Sequence, residues 1–116
     1  MFAIHEHEDT GVTVVELGKR LTLQNAEELL KAVEGVVQGV APSIVVNASN
    51  LTTLDSTGIG ALVTIKNRVH QANGRFALAG LRPELRRMLT LMNLHQVLEV
   101  FETEDLATRA MLTRRV

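Results

Sequence analysis

The feature that most limits how this chain can fold is a short β-branched run, Ile44-Val45-Val46, set between Pro42-Ser43 and the polar Asn47. Consecutive apolar residues without alternation predict a strand, Ser43 to Asn47, covered on both faces and therefore central in its sheet. Central strands of that kind belong to folds in which helices cross over and cover the sheet.

The flanking segments supply such helices. From Asn25 to Gln38, Ala26, Leu29, Leu30, Val33, Val36 and Val37 recur at the three-and-four spacing of one buried stripe. Glu27 and Glu28 suit the positive first turn, Asn25 or a neighbour is the expected cap, and Gly39 and Pro42 end the helix. After the central strand, Ile59, Leu62, Val63, Val69 and Ala72 line one side of a helix, with Lys66, Asn67, Arg68 and Gln71 outside and Asn73-Gly74 as its stop. Arg75 to Gly80 predicts another buried strand. Pro83 opens a third helix, with Leu85, Met88, Leu89 and Met92 at helical spacing and the methionines assigned to the core, a Met-rich partner edge being the alternative. Val97 to Phe101 is the last predicted strand. Thr103 then caps a terminal helix with Glu104 and Asp105 at its start and Arg109, Arg114 and Arg115 towards its end.

Ahead of all this, Phe2 to Glu8 and Val12 to Leu17 flank the turn signal Asp9-Thr10-Gly11, which predicts a hairpin. Val12 and Val14 alternate with Thr13, as in a half-buried strand. The order of elements predicts a single α/β domain over residues 1–116, with a mostly parallel central sheet, an N-terminal hairpin and about four helices.

At 116 residues and 46% hydrophobic, the chain can bury a core without disulfides or metals. It has no cysteine, which removes disulfides, thiolate zinc sites and cysteine nucleophiles, and which suits a cytoplasmic location. Twelve Lys+Arg are spread among 13 Asp+Glu, and there is no Trp or Tyr, so direct nucleic-acid binding is not expected. No apolar run approaches membrane-spanning length, so no membrane insertion is expected. His5 and His7 would share one strand face, with Glu6 and Glu8 on the other. Two imidazoles at that spacing could grip a metal, but no third ligand is identifiable, so they read as a solvated strand face and no metal is assigned.

The chemistry-bearing stretch is Leu51 to Ala61, where Asp55, Ser56 and Thr57 fall at the junction of a strand's exit loop and a helix start. Gly58-Ile59-Gly60 lacks the third glycine of a dinucleotide site, and no Gly-Lys-Ser/Thr exists for a Walker loop. A serine-hydrolase elbow would need glycine at position 54, which is Leu54, although Gly58 fits the second position. His70 and His95 could supply a base, but nothing in the sequence aims either at Ser56. No enzyme and no cofactor are expected. On chemistry alone, a helix cap and a functional hydroxyl remain equally good readings of Asp55, Ser56 and Thr57.

The run Ile44 to Ala61, with its Asp-Ser-Thr-Gly-Ile-Gly core, resembles the signature of the STAS domain, in particular of the bacterial anti-anti-sigma factors, or anti-sigma factor antagonists. The Ala26-Glu27 helix, the Asn73-Gly74-Arg75 stop, Pro83 and Leu94 fit the same pattern, so the likeness covers nearly the whole chain. It implies a partner-switching protein that, unphosphorylated, binds an anti-sigma factor serine kinase of the ATP-binding GHKL type and so releases a sigma factor. The implied phosphorylation site is Ser56, with Thr57 second, and a serine phosphatase restores the binding form. The implied partner surface comprises Asp55, Ser56, Thr57, Gly58 and Ile59 with Thr22, Leu23 and Gln24. Thr22 stands where relatives often carry an acidic residue, and Lys19 and Arg20 make that loop more basic. The same likeness also admits a STAS scaffold module in a stress-signalling or lipid-transport complex, without a phosphorylation cycle.

Overall fold

The computed structural model describes residues 2–7 and 10–113. The expectations for Glu8, Asp9, Arg114 and Arg115 lie outside the described residues. Strands β1 (Phe2–Glu6) and β2 (Val12–Leu17) form the expected antiparallel hairpin, with Phe2 opposite Leu17 and Glu6 opposite Thr13. Gly11, with φ of +74°, takes the left-handed conformation that the turn requires.

Strand β4 (Ser43–Asn47) is the middle strand of a five-stranded sheet in the order β1-β2-β4-β6-β7, where β6 is Arg75–Ala79 and β7 is Val100–Phe101. It pairs in parallel with β2 on one side and β6 on the other. Its residues Ile44, Val45 and Val46 have no exposed surface, as the apolar run predicts. Alternation then sorts the sheet's side chains into two layers. Val15, Leu17, Ile44, Val46, Phe76 and Leu78 face the helices α1 (Ala26–Val37), α2 (Ser56–Gln71) and α3 (Pro83–Leu91). Val12, Val14, Val45, Ala77 and Ala79 face α4 (Glu104–Thr113), which contributes Ala107 and Met111. Leu29 of α1 and Leu62 and Ile65 of α2 are fully buried. Burying such a side chain stabilises the fold by roughly 1.5–3 kcal/mol.

Several expectations need correction. Strand β2 is not half-buried: Val12, Thr13, Val14 and Val15 are all buried, because the strand lies inside the sheet and α4 covers its second face. The last strand shrinks to Val100–Phe101, and a 3-10 turn at Leu94–Gln96 precedes it. Met92, expected in the core, is 48% exposed beyond the end of α3. A second sheet, unforeseen, consists of two-residue parallel strands β3 (Arg20–Leu21) and β5 (Thr53–Leu54). The stop of α2 is as expected. Asn73 is left-handed, and a Cβ at Gly74 would overlap the carbonyl oxygen of Pro42, which accepts the Arg75 N–H at 2.8 Å.

Candidate functional site

The small sheet explains where the Asp55-Ser56-Thr57 turn sits. Pairing Leu21 with Leu54 lays the loop before α1 beside the loop before α2, and the Thr52 and Thr53 N–H groups both donate to the Lys19 carbonyl. The next residue after β5 is Asp55, the N-cap of α2. Its Oδ1 accepts the Gly58 N–H at 2.8 Å, as a cap should, and its Oδ2 accepts the Leu23 N–H at 3.0 Å across the junction. One carboxylate thus ties two segments far apart in sequence. These hydrogen bonds, from Gly58 first and Leu23 second, hold the Asp55 carboxyl below its ordinary pKa, so it is firmly anionic near neutrality.

Close packing reinforces the tie. A Cβ at Gly58 would overlap the carbonyl oxygen of Leu21, so only glycine lets the first turn of α2 approach β3 this closely. Gly60 meets nothing within 4 Å at the same test. Ile59 is 6% exposed and joins the core below the turn. Gly58 and Ile59 therefore root the turn, while Ser56 and Thr57 stand exposed on its surface. The cap belongs to Asp55, and Ser56 follows it as the first residue of α2.

The facing loop is also well defined. Asn25 occupies the N-cap position of α1 but, contrary to expectation, makes no cap bond. Its side chain turns back along the loop instead, accepting the Thr22 N–H at 2.9 Å and donating to the Arg20 carbonyl at 2.9 Å. The Thr22 carbonyl takes up the N–H groups of Asn25 and Ala26, and the Thr22 hydroxyl accepts the Gln24 N–H. Thr22 is thereby tied into the loop structure. Gln24 is exposed, and Leu23 is 72% exposed, an unusual position for a large apolar side chain.

Between the two helices runs a shallow groove of about 360 Å³, lined by Leu23, Ala26, Glu27, Leu30, Thr57, Gly60, Ala61 and Thr64. The structure thus brings Thr22, Leu23 and Gln24 beside Asp55, Ser56 and Thr57. The groove walls Leu30, Gly60 and Thr64 escaped sequence reasoning, since Leu30 reads simply as one more member of the buried stripe. His70 lies fourteen residues further along α2, roughly 21 Å from Ser56 at 1.5 Å per residue. His95 lies in the 3-10 turn, in a pocket with Arg86 and Leu89.

Fold and site together define a class: a small α/β domain of mostly parallel sheet whose second helix opens in an exposed, hydroxyl-bearing turn. The chain belongs to the STAS domain family, whose family model matches residues 3–107. An anti-sigma F factor antagonist of Paenibacillus polymyxa is 23% identical over 95 residues, which are 81% of this chain and 81% of that one. The crystal structure of an anti-sigma factor antagonist from Mycobacterium paratuberculosis is similar at a TM-score of 0.84 and 25% identity, covering 97% of this chain and 93% of that one. The Bacillus cell fate determinant SpoIIAA in its phosphorylated form shares the fold at a TM-score of 0.71 and 20% identity, over 95% of this chain and 98% of that one. Among the described residues no helix is long and apolar enough to cross a membrane.

Proposed function

We propose that this STAS domain is an anti-sigma factor antagonist controlled by phosphate at Ser56. Unphosphorylated, it binds an anti-sigma factor that is also a GHKL-type serine kinase, and the sigma factor is released. The observation that carries the reading is the division of labour at the start of α2. Asp55 does the capping, which leaves the exposed Ser56 hydroxyl available beside an exposed Leu23 and an open groove. The relatives named as anti-sigma factor antagonists support the general role. The phosphorylated SpoIIAA gives the modification a precedent on this fold.

Electrostatics supplies the mechanism. Phosphate adds about 1.5 to 2 negative charges, taking the chain from -1 to about -2.5 to -3, all of the change at one turn. In the free protein the N-terminus of α2 accommodates that anion. A partner surface shaped to a neutral hydroxyl does not, because it must desolvate the phosphate and face the ionised Asp55 next to it. The switch then works by local repulsion, with little refolding. Thr57, also exposed on this turn, is the second acceptor, and a serine phosphatase resets the cycle.

The test is incubation with the cognate kinase and ATP, followed by mass-spectrometric site mapping. Phosphate on Ser56 is the expected result. Its absence from both Ser56 and Thr57, with a kinase that is active on a control substrate, rejects the switch.

A further inference from the structure

His5, on β1, and His7, one residue past its end with its N–H still donating to the Val12 carbonyl, project from the same face of the sheet, the face that α4 covers. Their rings stack with centroids 5.5 Å apart. The fold adds what the sequence pattern lacked, because the first residue of α4, Glu104, arrives at the same spot with its Oε2 3.6 Å from His7 Nε2. One ligand atom from each of the three side chains can be chosen so that all lie within 4.8 Å of one another. We propose that His5, His7 and Glu104 bind a borderline divalent transition-metal ion, with Zn²⁺ the best match to the donor set.

The donor chemistry fits. Imidazole nitrogen and carboxylate oxygen suit zinc and its neighbours, whereas Ca²⁺ and Mg²⁺ want oxygen alone. Zinc bonds of about 2.0–2.1 Å in tetrahedral geometry place neighbouring donor atoms roughly 3.4 Å apart. The His7–Glu104 edge is already close to that at 3.6 Å, and the remaining edges are no longer than 4.8 Å.

A supporting partner is present as well. Asn47, at the end of the central strand, donates its Nδ2 to Glu104 Oε1 at 2.8 Å, while its own Oδ1 accepts the Ser49 N–H at 2.9 Å. The second bond fixes which end of the amide donates. Asn47 therefore holds one oxygen of Glu104 and leaves the other turned to the imidazoles, the arrangement by which outer partners orient a metal-binding carboxylate. His5 is exposed and His7 and Glu104 are half-buried, so the site opens to solvent and keeps a coordination position for water. It lies on the sheet face away from α1 and α2, so it does not depend on the reading of Ser56.

The experiment is calorimetric titration of untagged protein with ZnCl₂, paired with Co²⁺ absorption as a reporter of tetrahedral coordination and with thermal melts. The expected result is one ion per chain and a raised melting temperature. His5→Ala, His7→Ala and Glu104→Gln should each lose at least the ~10–100-fold in affinity that removal of an outer-shell partner brings, and Asn47→Ala about that much. The double variant His70→Ala/His95→Ala, which removes the chain's other two histidines, should bind as before. Melts without metal verify that each variant is folded. Zinc binding that survives His5→Ala and His7→Ala in folded protein, or its absence from the natural chain, overturns the proposal.

Discussion

Helices α2 and α4 begin in different ways, and the contrast shows how one fold can make one helix start a rigid display and the other a convergence point. At α4 the cap is local: the Thr103 hydroxyl accepts the Leu106 N–H at 3.1 Å, three residues away. Its first residue, Glu104, reaches outward to Asn47 and His7. At α2 the cap is shared. Asp55 closes its own helix at Gly58 and grips Leu23 in the facing loop, and Gly58 lets β3 press against the first turn. Here the first residue, Ser56, is exposed beside the cap rather than drawn into it.

The largest effect expected from breaking this contrast is on binding. Ser56→Asp places a permanent charge on the display and should weaken the proposed complex with an anti-sigma kinase ~100-fold or more, since burying an unpaired charge at an interface costs several kcal/mol. Ser56→Ala should bind nearly normally, and both variants should melt close to the unsubstituted protein, because Asp55 and not Ser56 is the cap. Calorimetry that finds the two variants binding alike would reduce Ser56 to a bystander. Next comes Gly58→Ala, which forces a methyl against a backbone oxygen that cannot easily move and should destabilise by ~1–3 kcal/mol in chemical denaturation. Two residues on, Gly60→Ala meets open space on the exposed side of the helix and should stabilise by about 0.5–1 kcal/mol. Equal effects at the two glycines would refute the close approach of α2 to β3.

Asp55→Asn should matter through pH. The folded carboxyl titrates below its ordinary value, so its contribution to stability is full above the unfolded carboxylate range and is lost as pH falls through the folded value. Melting curves from neutral pH down to the acid range should show the natural protein losing more stability than Asp55→Asn. Parallel curves would mean that the bonds to Gly58 and Leu23 contribute little. At the local cap of α4, Thr103→Ala should cost ~1 kcal/mol and leave partner binding unchanged.

Much of this was legible in the sequence where a pattern repeats. The run Ile44-Val45-Val46, the stripe Leu29-Val33 and the Asn73-Gly74 stop each state their structure locally, and the Asp-Ser-Thr-Gly-Ile-Gly core marks the turn. Most of what escaped depends on contacts with distant residues. Arg20–Leu21 and Thr53–Leu54 are too short to show any period, although their pairing is what puts Leu23 beside Asp55. Asn25 has the right chemistry for a cap, but the loop residues Thr22 and Arg20 claim its side chain. Val12 and Val14 read as half-buried because nothing near them announces that α4 packs on the second face. Glu104 reads as a favourable first-turn charge, and only the docking of α4 brings it to His5 and His7.

The carboxylate of Asp55, with one oxygen on each of two segments, means that the Ser56 surface is a property of the fold and not of a peptide. A fragment covering Leu51 to Ala61 contains every residue of the motif, yet it lacks the Leu23 N–H and the Leu21 carbonyl against which the turn is set. A partner that binds this surface as it stands therefore meets two segments, 32 residues apart at Leu23 and Asp55, that only folding brings together.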